Sequence, residues 1–330
     1  MPVDLWFLFR VLVFPGFLFV LMLTLFCDWF ERKIEARLQN RVGPAVAGPG
    51  GILQPLADFI KLLTKEDIVP KNAKNTIFKI APILAFSMLV FAMLFIPIDG
   101  QSAIPNSSFS GDLVFVLALV TIANFLLFLS GWASANPYGS IGAARVLTQF
   151  LGYDIPLFMF ALSPAFLAGS LSIAGIAESQ YLPFMLLAPW AFVLFIITLQ
   201  AELEKDPFDI PHAESEVVGG LETEYGGGKL AFLHLTRDVQ IVFGASLVVV
   251  LFLGGSYGPV FFGPPGLWYT LWFVLKLLAV ILVSEYITCL FARLRIDQVV
   301  TANWKIIMPL SVISLILTAA LATWVYPLVV

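Results

Sequence analysis

The feature that most constrains the fold of this chain is the recurrence of long apolar segments along its 330 residues. A helix of roughly 20 apolar residues is long enough to cross the hydrocarbon core of a bilayer. Eight segments of about this length are predicted as membrane-spanning helices, at residues 6–27, 80–98, 112–130, 153–173, 181–200, 232–254, 267–289 and 306–328. The sequence therefore predicts an all-α, polytopic membrane protein.

The composition agrees with this prediction and excludes an ordinary soluble domain. Hydrophobic residues make up 60% of the chain and the mean hydropathy is +0.95, whereas a soluble domain is roughly half apolar. The alternating pattern of a membrane barrel is absent, and helices satisfy their own backbone in lipid. The first segment lacks the basic region and the small-residue cleavage site of a signal peptide, so we expect it to be retained as a helix.

The positions of the basic residues predict the orientation. Of the 18 lysines and arginines, Arg10, Arg237 and Lys276 lie within the apolar segments. All the others fall in four loops, at residues 28–79, 131–152, 201–231 and 290–305. The positive-inside rule places these loops in the cytoplasm and both termini outside. We expect one membrane domain, residues 1–330, in a prokaryotic cytoplasmic membrane.

The first basic loop contains a second helical pattern. Apolar residues recur at helical spacing between Ile52 and Leu63, with Gln54, Asp58 and Lys61 on the opposite side. This pattern is typical of an amphipathic helix that lies along the membrane surface or a partner. The glycines and prolines of residues 41–51, just before it, predict an irregular path.

The most polar part of the chain is the segment Glu202–Glu224, in a chain that is only 12% charged. It holds eight carboxylates and one lysine; the acids are Glu202, Glu204, Asp206, Asp209, Glu214, Glu216, Glu222 and Glu224. Carboxylates beside hydrocarbon, or crowded together, have raised pKa values. We therefore expect this loop to hold and release protons near neutral pH, with Asp154 and Lys276 as continuations inside the membrane. The alternative is a solvated loop or a docking site for a basic partner.

The sequence offers no site for a redox cofactor. Cys27 and Cys289 are the only cysteines, and no Cys/His cluster with metal-ligand spacing occurs. Neither a nucleophile triad nor a nucleotide-binding motif is present, so we expect no catalytic residue, no metal and no cofactor bound by this chain alone. Nucleic acid is not expected as a partner. In a redox complex, another subunit would carry the electrons.

Four motifs, in this order, resemble those of the H subunit of respiratory complex I (subunit 1 in mitochondria) and of related membrane-bound hydrogenase complexes. They include Glu31-Arg32-Lys33 with Arg41-Val42-Gly43-Pro44, Gly131-Trp132-Ala133-Ser134, Pro207-Phe208-Asp209, and Arg293-Leu294-Arg295-Ile296-Asp297-Gln298. Together they extend over most of the chain. The resemblance implies a membrane subunit, not catalytic alone, that joins a cytoplasmic redox arm to an ion-pumping membrane arm.

The resemblance also implies roles for individual residues. The residues expected to take part in proton or ion coupling are five acids of the loop and two charges within the membrane segments: Glu202, Asp209, Glu214, Glu216, Glu224, Asp154 and Lys276. At the redox-arm interface or chamber it implies Arg32, Arg41, Asp58, Arg145, Arg293, Arg295 and Asp297. The implied partners are hydrogenase-like large and small subunits, antiporter-like membrane subunits and the lipid bilayer.

Departures from the complex I pattern bear on the branch of the superfamily. Complex I members usually read Glu-Thr-Asn-Arg before Pro-Phe-Asp, Glu-Gly in place of His212-Ala213, and Arg in place of Thr288. The segment Phe208-Asp209-Ile210-Pro211, with its acid-rich continuation, looks closer to the membrane-bound [NiFe] hydrogenase or ferredoxin-linked sulfur-reducing branch. The departures count against a bound quinone more than against ion coupling. The alternative is the quinone-chamber subunit of an NADH- or deazaflavin-type quinone or phenazine oxidoreductase. An autonomous secondary transporter and a passive membrane anchor are the alternatives of another class.

Overall fold

The computed structural model describes residues 5–104 and 108–329, apart from the side chains of Glu214, Ser215 and residues 324–329. All regular structure in these residues is helical. The α-helices are α1 Leu5–Leu12, α2 Phe17–Leu38, α3 Gln54–Thr64, α4 Asn75–Met93, α5 Asp112–Ala133, α6 Pro137–Ala168, α7 Ile173–Glu178, α8 Phe184–Leu187, α9 Pro189–Glu202, α10 Glu214–Val217, α11 Gly227–Phe252, α12 Pro265–Leu290, α13 Ile296–Ala302 and α14 Met308–Val329. Short 3₁₀ turns form at Pro49–Gly51 and Gly220–Glu222, and a π-helical turn at Asn303–Ile307 joins α13 to α14.

The predicted all-α membrane class is confirmed. Within the described residues, seven helical segments are long and apolar enough to cross a membrane: Leu5–Leu38, α4, α5, α6, α11, α12 and Ile296–Thr323. The predicted fifth span, residues 181–200, differs, because the chain breaks between α8 and α9 at Ala188 and Pro189. Proline lacks the amide donor that would continue α8. The 14 residues of α9 extend about 21 Å, less than the hydrocarbon core of roughly 30 Å.

The fourth predicted span begins much earlier than its hydropathy indicates. Hydropathy predicts it at residues 153–173, whereas α6 starts at Pro137 and ends at Ala168. Asn136 caps the helix by accepting a hydrogen bond from the Tyr138 amide at 2.8 Å, and Pro137 is well suited to the first helical position. Arg145 therefore lies on a helix and not in the predicted loop 131–152.

The amphipathic surface helix forms at α3, and it packs against α2 and α11. Leu56 and Phe59 face this inner surface, where they contact the main hydrophobic core. Ile60 and Leu63 of the same helix are exposed. The helix thus covers one end of the bundle and also presents apolar side chains outward.

Helix α11 runs through the centre of the bundle. Every residue from Val242 to Phe252 is buried, and α2, α3, α4 and α12 surround the helix. Its first half instead carries Arg237, Asp238 and Gln240. Polar groups on a central helix must find partners inside the protein. We call the end of the bundle at which α11 begins the basic end. Helices α4 and α6 also begin there, and helices α2, α5, α9 and α12 end there.

Candidate functional site

A cavity of about 390 Å³ lies at the basic end, where α2, α11, α12 and the segment after α9 meet. Eight carboxylates line it: Asp28, Glu31, Glu35, Glu204, Asp206, Asp209, Asp238 and Glu285. The cationic lining residues are Arg32, Lys205 and Arg237, and His234 adds an imidazole. We call it the acid-lined cavity. Among the described residues, no group of three or more His, Cys, Asp or Glu has an arrangement that could hold a metal ion.

The acidic loop, residues 201–226, is held in place by the apolar residues between its acids. Phe208 and Ile210 are buried with Phe150 and Val299 in a small hydrophobic cluster. The Leu294 amide donates to the Pro207 carbonyl at 2.9 Å. A loop anchored in this way is not a freely solvated run of charge, which agrees with a site at this position.

A close backbone contact fixes the second half of the loop. A Cβ atom added at Gly142 of α6 would lie 2.7 Å from the Leu221 amide nitrogen and 2.8 Å from Gly220. Only glycine at position 142 lets the turn Gly220–Glu222 approach α6 so closely. The same turn places Glu222 near Arg237, at 3.9 Å, and near His234, at 3.7 Å.

Lys205 connects the acidic loop to two membrane helices. Its Nζ lies 3.1 Å from Glu31 Oε2 on α2 and is also ion-paired with Glu285 on α12. The three side chains are 12%, 13% and 5% exposed, in that order. Burial alone would lower the pKa of Lys205, but the charges of Glu31 and Glu285 outweigh it and raise that pKa. Lys205 therefore stays charged and partly neutralises the cavity.

Two aspartates at the mouth of the cavity share one arginine. Arg293 lies 2.6 Å from Asp209 Oδ2 and 3.9 Å from Asp206 Oδ1. Burial raises the pKa of Asp209, although the neighbouring His212, Arg237 and Arg293 oppose that rise. Burial, followed by the charge of Asp209, also raises the pKa of Asp206. Both carboxyls therefore keep a proton to a higher pH than an ordinary aspartate does.

The predicted interface residues Arg32 and Asp58 form one network with Asp28. Arg32 donates to Asp28 Oδ1 and to Asp58 Oδ2, both at 2.8 Å, and so ties α2 to α3. Burial tends to raise the pKa of Asp58, but hydrogen bonds from Arg32 and Gln54 lower it overall. Arg41 lies further out and pairs with Glu35 at 2.9 Å.

Glu202 faces away from the cavity, into the membrane interior. Its Oε1 accepts hydrogen bonds from Asn124 at 2.8 Å and Gln240 at 3.3 Å. Its Oε2 is buried. The charge of Asp154 on α6 interacts with that of Glu202, and Asp154 itself accepts from Thr121 at 3.4 Å. Glu202 and Asp154 are thus a pair of acids inside the bundle, and their role in proton or ion coupling remains a prediction.

The other predicted acids do not join this pair. Glu216 lies 2.6 Å from Arg145, in a groove of about 170 Å³ that Arg293 also lines. Glu224 accepts a hydrogen bond from Asn136. The Glu214 side chain lies outside the described part of the chain. The carboxylates of the acidic loop are therefore divided among separate partners.

Arg295 and Asp297 are the outermost of the predicted interface residues. They lie 3.7 Å apart, and each side chain is 80% exposed. An exposed ion pair of this kind contributes little stability. Both residues are accessible to another subunit, as their predicted interface role requires.

Lys276 lies at the other end of α11, away from the acid-lined cavity. Its Nζ donates to the carbonyls of Leu253 at 2.8 Å, Gly255 at 2.9 Å and Tyr257 at 2.8 Å. Gln180 donates to the Val250 carbonyl at 2.8 Å beside them. Lys276 thus satisfies carbonyls of the turn that follows α11, and Gln180 satisfies one of the carbonyls that the helix leaves free at its C-terminus. The predicted role of Lys276 in ion coupling remains a prediction.

We expect Lys276→Met to destabilise the protein, because it leaves these carbonyls without a donor, at about 1–3 kcal/mol for each buried group. The measurement is the melting temperature of the purified complex, with the exposed Lys305→Met as the matched control. Lys276→Arg should recover part of the loss. An unchanged melting temperature in Lys276→Met would contradict the conclusion that the Lys276 hydrogen bonds stabilise the turn after α11.

The cavity contains charged residues that were not predicted as site residues. Lys205, Glu31 and Glu285 meet there, and Asp238 lines the same space. The signal for Glu285 and Asp238 was present, since charges inside apolar segments are costly and usually face an interior. That both residues line the same cavity depends on how α2, α11 and α12 pack together, which the sequence does not show.

Fold and cavity together define a polytopic helical membrane protein with ionisable groups in its interior, a class in which such groups commonly mark ion pathways. A family model described as NADH dehydrogenase matches residues 11–319. The chain is 37% identical, over 96% of its length, to the H subunit of the NADH-quinone oxidoreductase of Dehalococcoides mccartyi, of which it covers 87%. It is 38% identical to the corresponding NADH-quinone oxidoreductase chain of Geobacillus kaustophilus, with 90% of this chain and 88% of that relative covered. The chain therefore belongs to the NADH dehydrogenase family, as its four motifs predicted.

Proposed function

We propose that this chain is the membrane subunit at which a complex I-like NADH–quinone oxidoreductase couples electron transfer to ion translocation. The observation that carries the proposal is the acid-lined cavity, whose lining residues Leu203 and Glu204 follow Glu202 directly in the chain, while Glu202 itself faces the membrane interior. The names of the relatives support the quinone-linked alternative. They give no support to the hydrogenase-type function that Phe208-Asp209-Ile210-Pro211 favoured.

The coupling would work through charge in the cavity. Carboxylates that crowd together titrate as a unit and retain some protons near neutral pH. Glu204 lines the cavity while Glu202, two residues earlier, faces the opposite way. A change in charge or position at Glu204 would therefore alter the protonation of Glu202. The protonation of Asp154 would change in turn. Each displaced pKa unit corresponds to about 1.4 kcal/mol.

A quinone would fit this cavity only in part. Its volume of about 390 Å³ lies within the usual range of small-molecule sites, roughly 300–1,000 Å³. Such sites are mostly apolar, whereas the aliphatic side chains in this lining are Leu203 and Ile241. We propose that a quinone ring would lie at this apolar side and that a neighbouring subunit would complete the wall.

The remaining parts of the proposal concern assembly. Positively charged loops favour a cytoplasmic position for the basic end, where the redox arm would dock against Arg145, Arg293 and Arg295. Antiporter-like membrane subunits would lie beside the bundle, within the membrane of a prokaryotic cell. These placements rest on the charge of the loops and on the family.

The proposal can be tested by filling the cavity in the purified complex. Ile241→Trp should slow the reduction of a short-chain quinone by about tenfold or more, because a site that loses its space loses binding energy. Reduction of ferricyanide, which accepts electrons upstream, should be unchanged. The control is Ile306→Trp, at an exposed position. Normal quinone reduction in Ile241→Trp, or hydrogen evolution without any quinone reduction, would contradict the proposal.

A further inference from the structure

Helices α4 and α5 lie side by side and antiparallel, and three contacts fix their register. The ring centroids of Phe91 and Phe115 are 6.3 Å apart near one end of the pair. Near the other end, the Lys74 Nζ lies 3.8 Å from the centroid of the Trp132 ring. The Lys74 amide also donates to the Ala133 carbonyl at 3.0 Å. The two helices therefore run together along nearly their whole length.

The outward face of this pair is an apolar seam. On α5, the exposed residues Phe115, Ile122, Phe125 and Trp132 follow one another at helical spacing. On α4, the exposed residues beside them are Ile80, Ile83, Leu84 and Phe91. From Phe115 to Trp132 the seam extends about 26 Å, close to the hydrocarbon thickness of roughly 30 Å. We call it the α4–α5 seam.

Three exposed lysines lie at the basic end of the α4–α5 seam. Lys71, Lys74 and Lys79 are all exposed, and among the described side chains none of them forms an ion pair. The nearest acids in the sequence are Asp67, which is paired with Lys229, and Asp99 at the far end of α4. Within the described side chains, the three lysines are therefore without a carboxylate partner in direct contact.

Trp132 marks the level at which the apolar surface gives way to charge. Tryptophan is enriched at the membrane–water interface, because its ring is apolar and its N–H is polar. Lys74 lies over that ring, a geometry in which the cation is attracted by the aromatic face. The pair thus holds a cationic group at the basic end of the apolar seam, and in a bilayer this group would lie at the level of the lipid headgroups.

We propose that the α4–α5 seam binds an anionic phospholipid. The headgroup phosphate would lie among Lys71, Lys74 and Lys79, and the acyl chains would lie along the exposed aliphatic and aromatic residues of the two helices. Basic residues at the ends of membrane helices attract anionic lipids, and uncharged headgroups gain less from them. The proposal follows from the register of two helices and the charge at their end, and it is independent of the electron acceptor.

The test is photolabelling of the assembled complex in nanodiscs. Two lipids are compared, phosphatidylglycerol and phosphatidylcholine, with the same photoreactive acyl chain, and the labelled peptides are identified by mass spectrometry. We expect phosphatidylglycerol to label peptides from residues 75–93 and 112–133 more strongly than phosphatidylcholine does. The variant Lys74→Gln/Lys79→Gln should reduce this labelling about tenfold or more, since one interfacial lysine corresponds to roughly fivefold in binding.

Matched variants separate the lipid site from a general effect of charge. Arg37→Gln/Lys65→Gln removes two other exposed cations and should leave labelling of the seam unchanged. Lys74→Arg/Lys79→Arg keeps the charge and should retain most of it. Equal labelling by both lipids, or labelling that does not respond to Lys74→Gln/Lys79→Gln, would overturn the proposal. Protection of the seam from both lipids would also overturn it and would identify the seam as a contact with another subunit.

Discussion

Replacing Glu202 with Gln is expected to lower ion translocation by the assembled complex by about 100-fold, the scale on which removal of a proton-transfer group acts. Glutamine has the same size and can still accept the hydrogen bond that Asn124 donates to Oε1 at 2.8 Å. It cannot take up or release a proton. The measurement is the pH gradient formed by reconstituted complex, recorded together with the rate of electron transfer.

The matched control for Glu202→Gln is Glu178→Gln. Glu178 is an exposed acid at the opposite end of the bundle, where it accepts a hydrogen bond from the Tyr257 hydroxyl at 3.2 Å. This control should translocate ions normally. If Glu202→Gln also translocates ions at the normal rate with full turnover, Glu202 is not on the pathway. The passive-anchor alternative would then gain support.

Lys205→Met is expected to destabilise the protein by about 3–5 kcal/mol, the usual cost of breaking a buried ion pair by removing one partner. Two carboxylates, Glu31 and Glu285, would lose their cation at once. The uncharged methionine keeps much of the volume of lysine, so the loss would reflect charge more than packing. The measurement is the thermal unfolding of the purified complex, followed by the fraction of this chain that remains associated.

Two further variants identify the cause of that destabilisation. Lys205→Met/Glu285→Gln removes one of the two uncompensated charges and should recover part of the lost stability. Lys205→Arg keeps the charge and should be close to the original protein. Should the single variant Lys205→Met unfold at the original temperature, the charges of Glu31 and Glu285 would have to be compensated by some other group.

The membrane-spanning helices could largely be predicted from the sequence, because a helix in lipid needs a long apolar run and such runs are visible without tertiary information. The break at Pro189 and the early start of α6 were missed for local reasons. Hydropathy averaged over residues 181–200 does not reveal the break at Pro189. The first half of α6 is polar, so hydropathy placed it in a loop. The cap at Asn136 and Pro137 was the signal that could have located the true start.

The sequence predicted which loop forms the candidate site, but it did not predict the directions or the partners of the side chains. Its acids were found by their density, yet the direction of each side chain depends on turns such as the one at Glu204, where φ is +49°. That turn sends Glu202 inward and Glu204 to the cavity. The partners of Lys205 come from α2 and α12, far away in the sequence, and a sequence alone does not show which distant charges meet.

The two ends of α11 are held in different ways. At Leu253 the end is fixed by Lys276 and Gln180 through backbone carbonyls, bonds that do not depend on any carboxyl group. At Arg237 and Asp238 the helix borders carboxyls whose charge changes with protonation. Gain or loss of a proton in the cavity would therefore change the charges beside the polar end of α11 and leave the contacts at Leu253 unchanged.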